Sequence, residues 1–160
     1  MNHTLLKFVD YNLIFLNQSW IWLNDKEIKE LTDTPNFTKE QQLQFYDSLN
    51  EKKDYYIKGI EYNKIPIGAC GLKNITSDDA EYWGYIGEKE YWGYGLGKCI
   101  LNFAINAATE HGLTSLYLNV VKGNKRAIGL YERMGFMAEE ETPFSLKMRL
   151  DLEKKNEHYY

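Results

Sequence analysis

The chain has 160 residues, of which 44% are hydrophobic and 15% aromatic, enough to fold as one domain around a single core. Its formal net charge of −4 provides no basic surface for nucleic acid or for an anionic membrane. No apolar run approaches the roughly 20 residues that a membrane-spanning helix needs, and the start lacks the pattern of a signal peptide. We therefore expect a cytoplasmic protein with no nucleic-acid and no membrane partner.

In chain order, the first third is predicted to be one strand followed by helices. Residues 4–9 read as a short strand, and Asp10 can cap the helix that follows it. A polar helix or turn is expected at residues 26–31. The segment from Thr38 to Gln41 is a capping box, which opens a second helix that continues to about residue 50.

From residue 55 onward the apolar pattern changes to that of strands. The predicted strands are 55–61, 65–72, 80–87, 116–121, 136–141 and 144–150, and the predicted helices between them start near Gly95 and at about Lys125. Hairpins interrupted by two helical crossovers predict an α/β fold with a mixed sheet and helices on both faces. We expect one domain over residues 1–152 and a polar C-terminal tail at 153–160.

A glycine-rich turn joins the strand at 80–87 to the next helix. Gly93, Gly95 and Gly97 stand at alternate positions and let the backbone approach a bulky group closely. The first turn of the helix has amide hydrogens without an internal partner, and the positive end of its dipole favours an anion. The spacing fits neither the dinucleotide-binding nor the P-loop pattern. We interpret the turn as a phosphate-binding site; the alternative is a connection without a ligand.

Metal binding is not expected, because the candidate ligands are few and scattered. Cys70 and Cys99 lie in apolar segments without a C-x-x-C motif or a neighbouring histidine, and His3, His111 and His158 are spread along the chain. The two thiols are expected to be buried and reduced.

A second motif, N-K-R-A-I-G-L-Y-E-R-M-G-F, occupies residues 124–136. By themselves, Asn124 reads equally well as a helix cap and Tyr131 as a core aromatic. Together with W-G-Y-G-L-G at 92–97, the motif resembles the GNAT family of N-acetyltransferases, whose hallmarks are Q/R-x-x-G-x-G/A and N-x-x-A-x-x-L-Y-E-x-x-G-F. Every hallmark position of the second motif is filled, and the strand order is also similar. Trp92 departs from the first hallmark, so its side chain is not expected to hold a phosphate.

The resemblance implies a GNAT-like acyl-CoA N-acyltransferase fold of about seven strands, and transfer of an acetyl group from acetyl-CoA to a primary amine without a metal. The pyrophosphate would lie on the turn and the pantetheine beside the strand that precedes it. The implied cofactor contacts are Ile86, Gly87, Gly93, Tyr94, Gly95, Leu96, Gly97, Lys98, Asn119, Asn124 and Arg126.

The chemistry of acetyl transfer to an amine indicates which catalytic groups are needed. An amine attacks a thioester only when unprotonated, and an ordinary alkyl ammonium has a pKa of about 10.4, so the reaction needs a base or a proton path. By family analogy, Tyr131 would protonate the departing thiolate. Glu81 is the first candidate for the base and for an acceptor contact, and Glu88 is the second; the alternative for both is an ordinary surface carboxylate.

The acceptor amine is less well defined by the sequence. The segments around Trp22, after Thr38 and before Ala80 resemble a branch that holds ribosomal-protein N-terminal acetyltransferases and acetyltransferases of nucleotide-linked amino sugars. Trp22 is either a wall of the acceptor pocket or a core residue. We expect a small amine or nucleotide-linked amino sugar first and a protein N-terminus second. The alternative from another class is a non-catalytic acyl-CoA-binding regulatory domain. Either a monomer or a homodimer is expected.

Overall fold

The structure is a computed structural model that describes residues 1–153. The tail expected at 153–160 therefore lies outside the described residues, apart from Glu153. The strands are β1 (Leu6–Asp10), β2 (Tyr56–Tyr62), β3 (Ile65–Lys73), β4 (Asp79–Ile86), β5 (Ser115–Val121), β6 (Met137–Glu141) and β7 (Ser145–Asp151). The helices are α1 (Leu13–Asn24), α2 (Lys26–Leu31), α3 (Lys39–Ser48), α4 (Leu96–Glu110) and α5 (Lys125–Arg133). Short 3-10 helices lie at His3–Leu5, Leu49–Glu51 and Lys89–Tyr91.

The seven strands form one sheet in the order β1-β2-β3-β4-β5-β7-β6, which confirms the predicted mixed sheet. Neighbouring strands are antiparallel except for β4 and β5, which are parallel. The parallel pair arises because α4 carries the chain back along the sheet between them, as a crossover connection must.

Side chains that alternate along the strands build a core on each face of the sheet. On one face, Ala80 and Tyr82 of β4 join a large cluster with the apolar stripe of α4, including Ile100 and Leu101. On the other face, Tyr85 packs with a smaller cluster from α1 and α2 (Phe15, Trp22 and Ile28). Helices on both faces are therefore confirmed. No helix within residues 1–153 is long and apolar enough to cross a membrane.

The start of the chain differs from the prediction. Residues 3–5 form a 3-10 turn, which the Asn2 side chain caps by accepting a hydrogen bond from the Thr4 amide, so the first strand begins at Leu6. Asp10 does not cap α1, because it lies at the end of β1. Asn12 takes that position and accepts hydrogen bonds from two amides of the first turn. The capping box at Thr38 is confirmed.

Candidate active site

An opening separates β4 from β5. The two strands pair only from Asp79 opposite Ser115 to Glu81 opposite Tyr117. Beyond that point β4 continues to residue 86 and β5 to residue 121 without pairing to each other. We call the space between residues 82–86 and 118–121 the β4–β5 gap.

Backbone groups of β4 face this gap. The Gly87 amide donates a hydrogen bond of 2.6 Å to the Ile67 carbonyl of β3. Because hydrogen-bonding directions alternate along an antiparallel pair, the N–H and C=O groups of Gly84 and Ile86 point away from β3 and into the gap. An amide-bearing ligand could pair with them as an added strand. Gly84 is a candidate contact that the sequence did not reveal.

The indole of Trp92 has a structural role at this edge. Its Nε1–H donates a hydrogen bond of 2.9 Å to the carbonyl oxygen of Ile86, which ties the glycine-rich turn to the end of β4. The ring also packs against the core cluster of α1 and α2. Trp92 therefore fixes the position of the turn relative to the gap and uses one of the two acceptor positions of the Ile86 carbonyl oxygen.

The turn itself leaves its amides uncapped. Gly93 and Gly95 have φ angles of +85° and +80°, a conformation that favours glycine. Gly95 is the residue before α4 and provides no side-chain cap for its first turn, and the space beside Gly93 is open to at least 4 Å. The amides of Leu96 to Lys98 at the start of α4 can therefore receive an anion.

The structure brings His3 to this turn, although 91 residues separate it from Tyr94 in the sequence. Its Nε2–H donates a hydrogen bond of 2.9 Å to the Tyr94 carbonyl, and its Nδ1 lies 3.5 Å from the Cys99 thiol. The expectation that both thiols are buried is wrong for Cys99, which is half-buried, and right for Cys70. No group of three or more His, Cys, Asp or Glu residues within 1–153 could hold a metal ion.

On the α4 side of the sheet, Tyr131 of α5 lies beside Tyr82. Their rings meet edge to face with centroids 6.4 Å apart, and Phe136 lies 5.8 Å away on another side of Tyr131. Burial raises the pKa of Tyr131 to about 12, so its phenol keeps its proton at neutral pH. No residue in the described part of the chain hydrogen-bonds to the Tyr131 hydroxyl. The phenol is therefore available as a donor.

Glu81 lies where β4 and β5 part, with its side chain on the opposite face from Tyr82. Its carboxylate accepts hydrogen bonds from the side-chain amides of Asn119 at 3.2 Å and Asn74 at 3.4 Å, and Lys73 Nζ lies 3.7 Å away. Only 15% of the Glu81 side chain is exposed. A carboxylate and a phenol thus flank the gap from opposite faces of the sheet.

Two predicted cofactor contacts lie at α5. Asn124 caps this helix by accepting a hydrogen bond of 3.3 Å from the Ala127 amide, and Arg126 is exposed in its first turn. Leu130 lies 3.5 Å from where a Cβ on Gly97 would stand, which places α5 against the start of α4. The sequence allows helix capping as one of two roles for Asn124, and the structure shows this role. Contacts of Asn124 and Arg126 with the cofactor remain predictions.

Trp22 and Glu88 meet at a separate cleft of about 540 Å³ between the end of α1, the start of α2 and residues 87–90. The Trp22 indole packs directly on the Gly87 backbone and donates a hydrogen bond of 2.9 Å to Glu88. Lys89 on the rim forms ion pairs of 2.8 Å with Asp25 and 3.1 Å with Glu27. Trp22 is therefore a buried residue that also lines the cleft.

Comparisons with known proteins agree in family and fold. A sequence model of the acetyltransferase (GNAT) family matches residues 18–136. A [ribosomal protein bS18]-alanine N-acetyltransferase of Salmonella typhimurium is 25% identical over 120 residues, which cover 71% of this chain and 81% of that protein. The Escherichia coli K12 protein of the same name is 30% identical over 70 residues, 44% of this chain and about half (47%) of its own length.

Among solved structures, the spermidine N-acetyltransferase of Vibrio cholerae in complex with CoA and spermine superposes with a TM-score of 0.85 at 22% identity, covering 94% of this chain and 98% of that one. The N-acetyltransferase PseH of Campylobacter jejuni in complex with acetyl coenzyme A gives a TM-score of 0.69 at 21% identity, covering 92% and 99%.

Proposed function

The chain belongs to the GNAT family of acetyltransferases and transfers an acetyl group from acetyl-CoA to an amine, and we propose that this amine is a small molecule or a nucleotide-linked amino sugar. The cleft beside Trp22 carries this proposal. Its volume of about 540 Å³ lies in the range typical of small-molecule sites, and its wall combines the edge of Trp22 with the polar side chains of Asn24 and Glu88. The cleft is bounded by residues 87–90, which directly follow β4.

For acetyl-CoA, we propose that the pyrophosphate lies on the amides from Gly93 to Lys98 and that the pantetheine extends along β4 in the gap. The uncapped start of α4 and the inward-facing backbone of Gly84 support this placement. At Ile86, the amide is the free backbone group, while the carbonyl oxygen already accepts one hydrogen bond from Trp92.

Tyr131 is the proposed acid, and the pKa of a thiol in the same core supports this role. Burial raises the pKa of Cys70, on the strand next to β4, to about 12, the same value as that of Tyr131. A CoA thiol buried to a similar degree would therefore bind a proton about as tightly as the phenol does. Burial of the thiol would therefore make proton transfer from Tyr131 to the departing thiolate less unfavourable than it is for a thiol in water.

Glu81 is the proposed base. Asn74 and Asn119 hold its carboxylate at the point where the strands part, on the face opposite Tyr131. An amine that arrives from that face can lose its proton to Glu81 while it attacks the thioester carbonyl. Glu88, which lines the cleft and accepts a hydrogen bond from the Trp22 indole, is the second candidate.

A thiol-release assay with a panel of acceptors tests the choice of amine. The panel contains alkyl amines, polyamines, nucleotide-linked amino sugars and peptides with an N-terminal alanine. We expect the highest kcat/KM for an amino sugar or a small amine, and a raised acceptor KM in Trp22→Phe. Trp20→Phe is the matched control, because Trp20 packs on Phe37 and does not line the cleft.

A protein N-terminus is the second candidate, since the Salmonella relative is named as an alanine N-acetyltransferase of a ribosomal protein. A peptide that outperforms every small amine in the panel would favour it. Binding of acetyl-CoA without thiol release for any acceptor would instead point to a non-catalytic domain.

We also propose that the protein is cytoplasmic, acts without nucleic-acid or membrane partners, and is a monomer or homodimer. The net charge of −4 and the two free cysteines support this setting. Light scattering after size exclusion measures the oligomeric state.

A further inference from the structure

We propose that Tyr82 is a second residue that contacts acetyl-CoA: its hydroxyl donates a hydrogen bond to the thioester sulfur in the β4–β5 gap. This inference rests on the proposed placement of the cofactor. It adds a donor on β4 to the acid on α5.

The position of the Tyr82 hydroxyl is set by Gly84. The Tyr82 side chain runs along the α4 face of β4, and a Cβ on Gly84 would lie 2.5 Å from its oxygen. A side chain at residue 84 would therefore displace the hydroxyl from this position. The same glycine directs its backbone N–H and C=O into the gap, so the hydroxyl lies over the part of β4 where a cofactor arm would pair.

This hydroxyl has no partner within the described residues. Tyr82 is only 6% exposed, yet no residue among 1–153 hydrogen-bonds to its oxygen. Within residues 1–153, Trp83 Nε1 is the one side-chain nitrogen or oxygen atom that lacks both solvent access and a hydrogen-bond partner. Since the Tyr82 oxygen also lacks a partner but is not such an atom, it must be in contact with solvent-accessible space. Buried tyrosines usually satisfy their hydroxyl. A bound ligand would supply the missing partner.

The protonation state of Tyr82 suits a donor. Burial raises its pKa well above the usual value for a phenol, with the neighbouring Tyr131 as a smaller cause in the same direction. Tyr82 is therefore a neutral phenol at neutral pH and can donate a hydrogen bond but resists losing its proton.

The two phenols have different roles in the proposed step. The amine nitrogen forms a bond to the acetyl carbon, the carbon–sulfur bond breaks, and its electron pair remains on sulfur. Glu81 takes the proton of the amine, and Tyr131 gives its proton to the sulfur and regains one from solvent. Tyr82 keeps its proton and stabilises the charge on sulfur while the bond breaks.

The test compares Tyr82→Phe with Tyr56→Phe. Tyr56 is a partly buried tyrosine on β2 that stacks on Phe103, away from the gap. With the best acceptor, we expect Tyr82→Phe to lower kcat about tenfold and to leave the KM for acetyl-CoA within about twofold, since the hydrogen bond strengthens only as charge develops. Tyr56→Phe should change neither. Both substitutions keep the ring, and thermal unfolding shows whether the variants remain folded.

A second readout does not depend on the acceptor. The pKa of the thiol of bound CoA can be followed by the ultraviolet absorbance of the thiolate. Loss of a donor to sulfur should raise this pKa in Tyr82→Phe and leave it unchanged in Tyr56→Phe. Equal behaviour of the two variants in kcat and in thiol pKa would overturn the proposal. If the wild-type protein itself neither binds acetyl-CoA nor releases thiol, the proposed function has failed instead.

Discussion

Replacing Tyr131 by phenylalanine separates the chemical role of its hydroxyl from the packing of its ring. The ring contacts with Tyr82 and Phe136 remain in Tyr131→Phe. The hydroxyl has no hydrogen-bond partner within residues 1–153, so its removal leaves none of them unsatisfied. We expect the free energy of unfolding to change by less than about 0.5 kcal/mol.

The catalytic effect should be much larger, because the departing thiolate needs the proton that the Tyr131 hydroxyl is proposed to supply. A solvent-exposed thiol has a pKa of about 8.5, and protonating its thiolate from a phenol of pKa about 12 would cost about 5 kcal/mol. Burial raises the pKa of the Cys70 thiol to about 12, and burial of a CoA thiol in the gap would reduce this mismatch in the same direction. Loss of the donor in Tyr131→Phe should then lower kcat about 100-fold, or about 3 kcal/mol.

The raised pKa of Tyr131 also fixes the pH dependence. As the proposed acid, Tyr131 is active while protonated, and because its pKa is raised it stays protonated at a pH where an ordinary phenol begins to ionise. We expect the rate to hold up to about pH 10 and to fall as pH approaches 12, where Tyr131 ionises. An alkaline limb near pH 9 in the wild type would indicate a different acid.

The assay measures CoA release at saturating acetyl-CoA with the best acceptor, in wild type, Tyr131→Phe and Tyr56→Phe. Calorimetry with acetyl-CoA should give the same Kd for all three proteins. A kcat for Tyr131→Phe within about threefold of wild type, with unchanged Kd, would refute the acid role.

Three further substitutions test other parts of the site. Gly95→Ala should weaken acetyl-CoA binding at least about tenfold by calorimetry. Gly112→Ala is the control: its φ of +76° at the far end of α4 brings a similar backbone strain of about 1 kcal/mol, but the Kd should not change. Equal Kd values for the two variants would exclude the glycine-rich turn as the phosphate-binding site. Glu81→Gln should lower kcat about tenfold or more at neutral pH and change the shape of the pH–rate profile, and an unaltered profile would exclude Glu81 as the base. Arg149 donates hydrogen bonds of 3.0 Å to both Asp79 and Glu139. These bonds lower the pKa of each carboxyl group, although burial opposes the shift, and they stabilise the fold only while the carboxylates are charged. In Arg149→Met, urea unfolding should therefore show a loss of about 1 kcal/mol at neutral pH that becomes smaller as the pH falls below about 4, and a loss that does not change with pH would contradict this.

The sequence by itself determined the features that depend on local spacing. The capping box at Thr38, the start of α4 after Gly95 and the order of strands and helices follow from near-neighbour patterns, and the structure confirms them. The residues of the two family motifs could also be identified from the sequence alone, because each motif spans a turn and the adjoining part of a helix, whose geometry depends on residues close together in the chain.

The tertiary structure decided where these local pieces meet. The β4–β5 gap exists because the parallel pairing stops at Glu81, although both strands continue, and no residue pattern within either strand encodes that divergence. His3 reaches the glycine-rich turn across most of the chain, and the ring of Tyr131 meets that of Tyr82 only when α5 is packed on the sheet. Long-range contacts of this kind depend on how the sheet and the helices pack, which is why the sequence predicted the parts of the candidate site but not the gap that joins them.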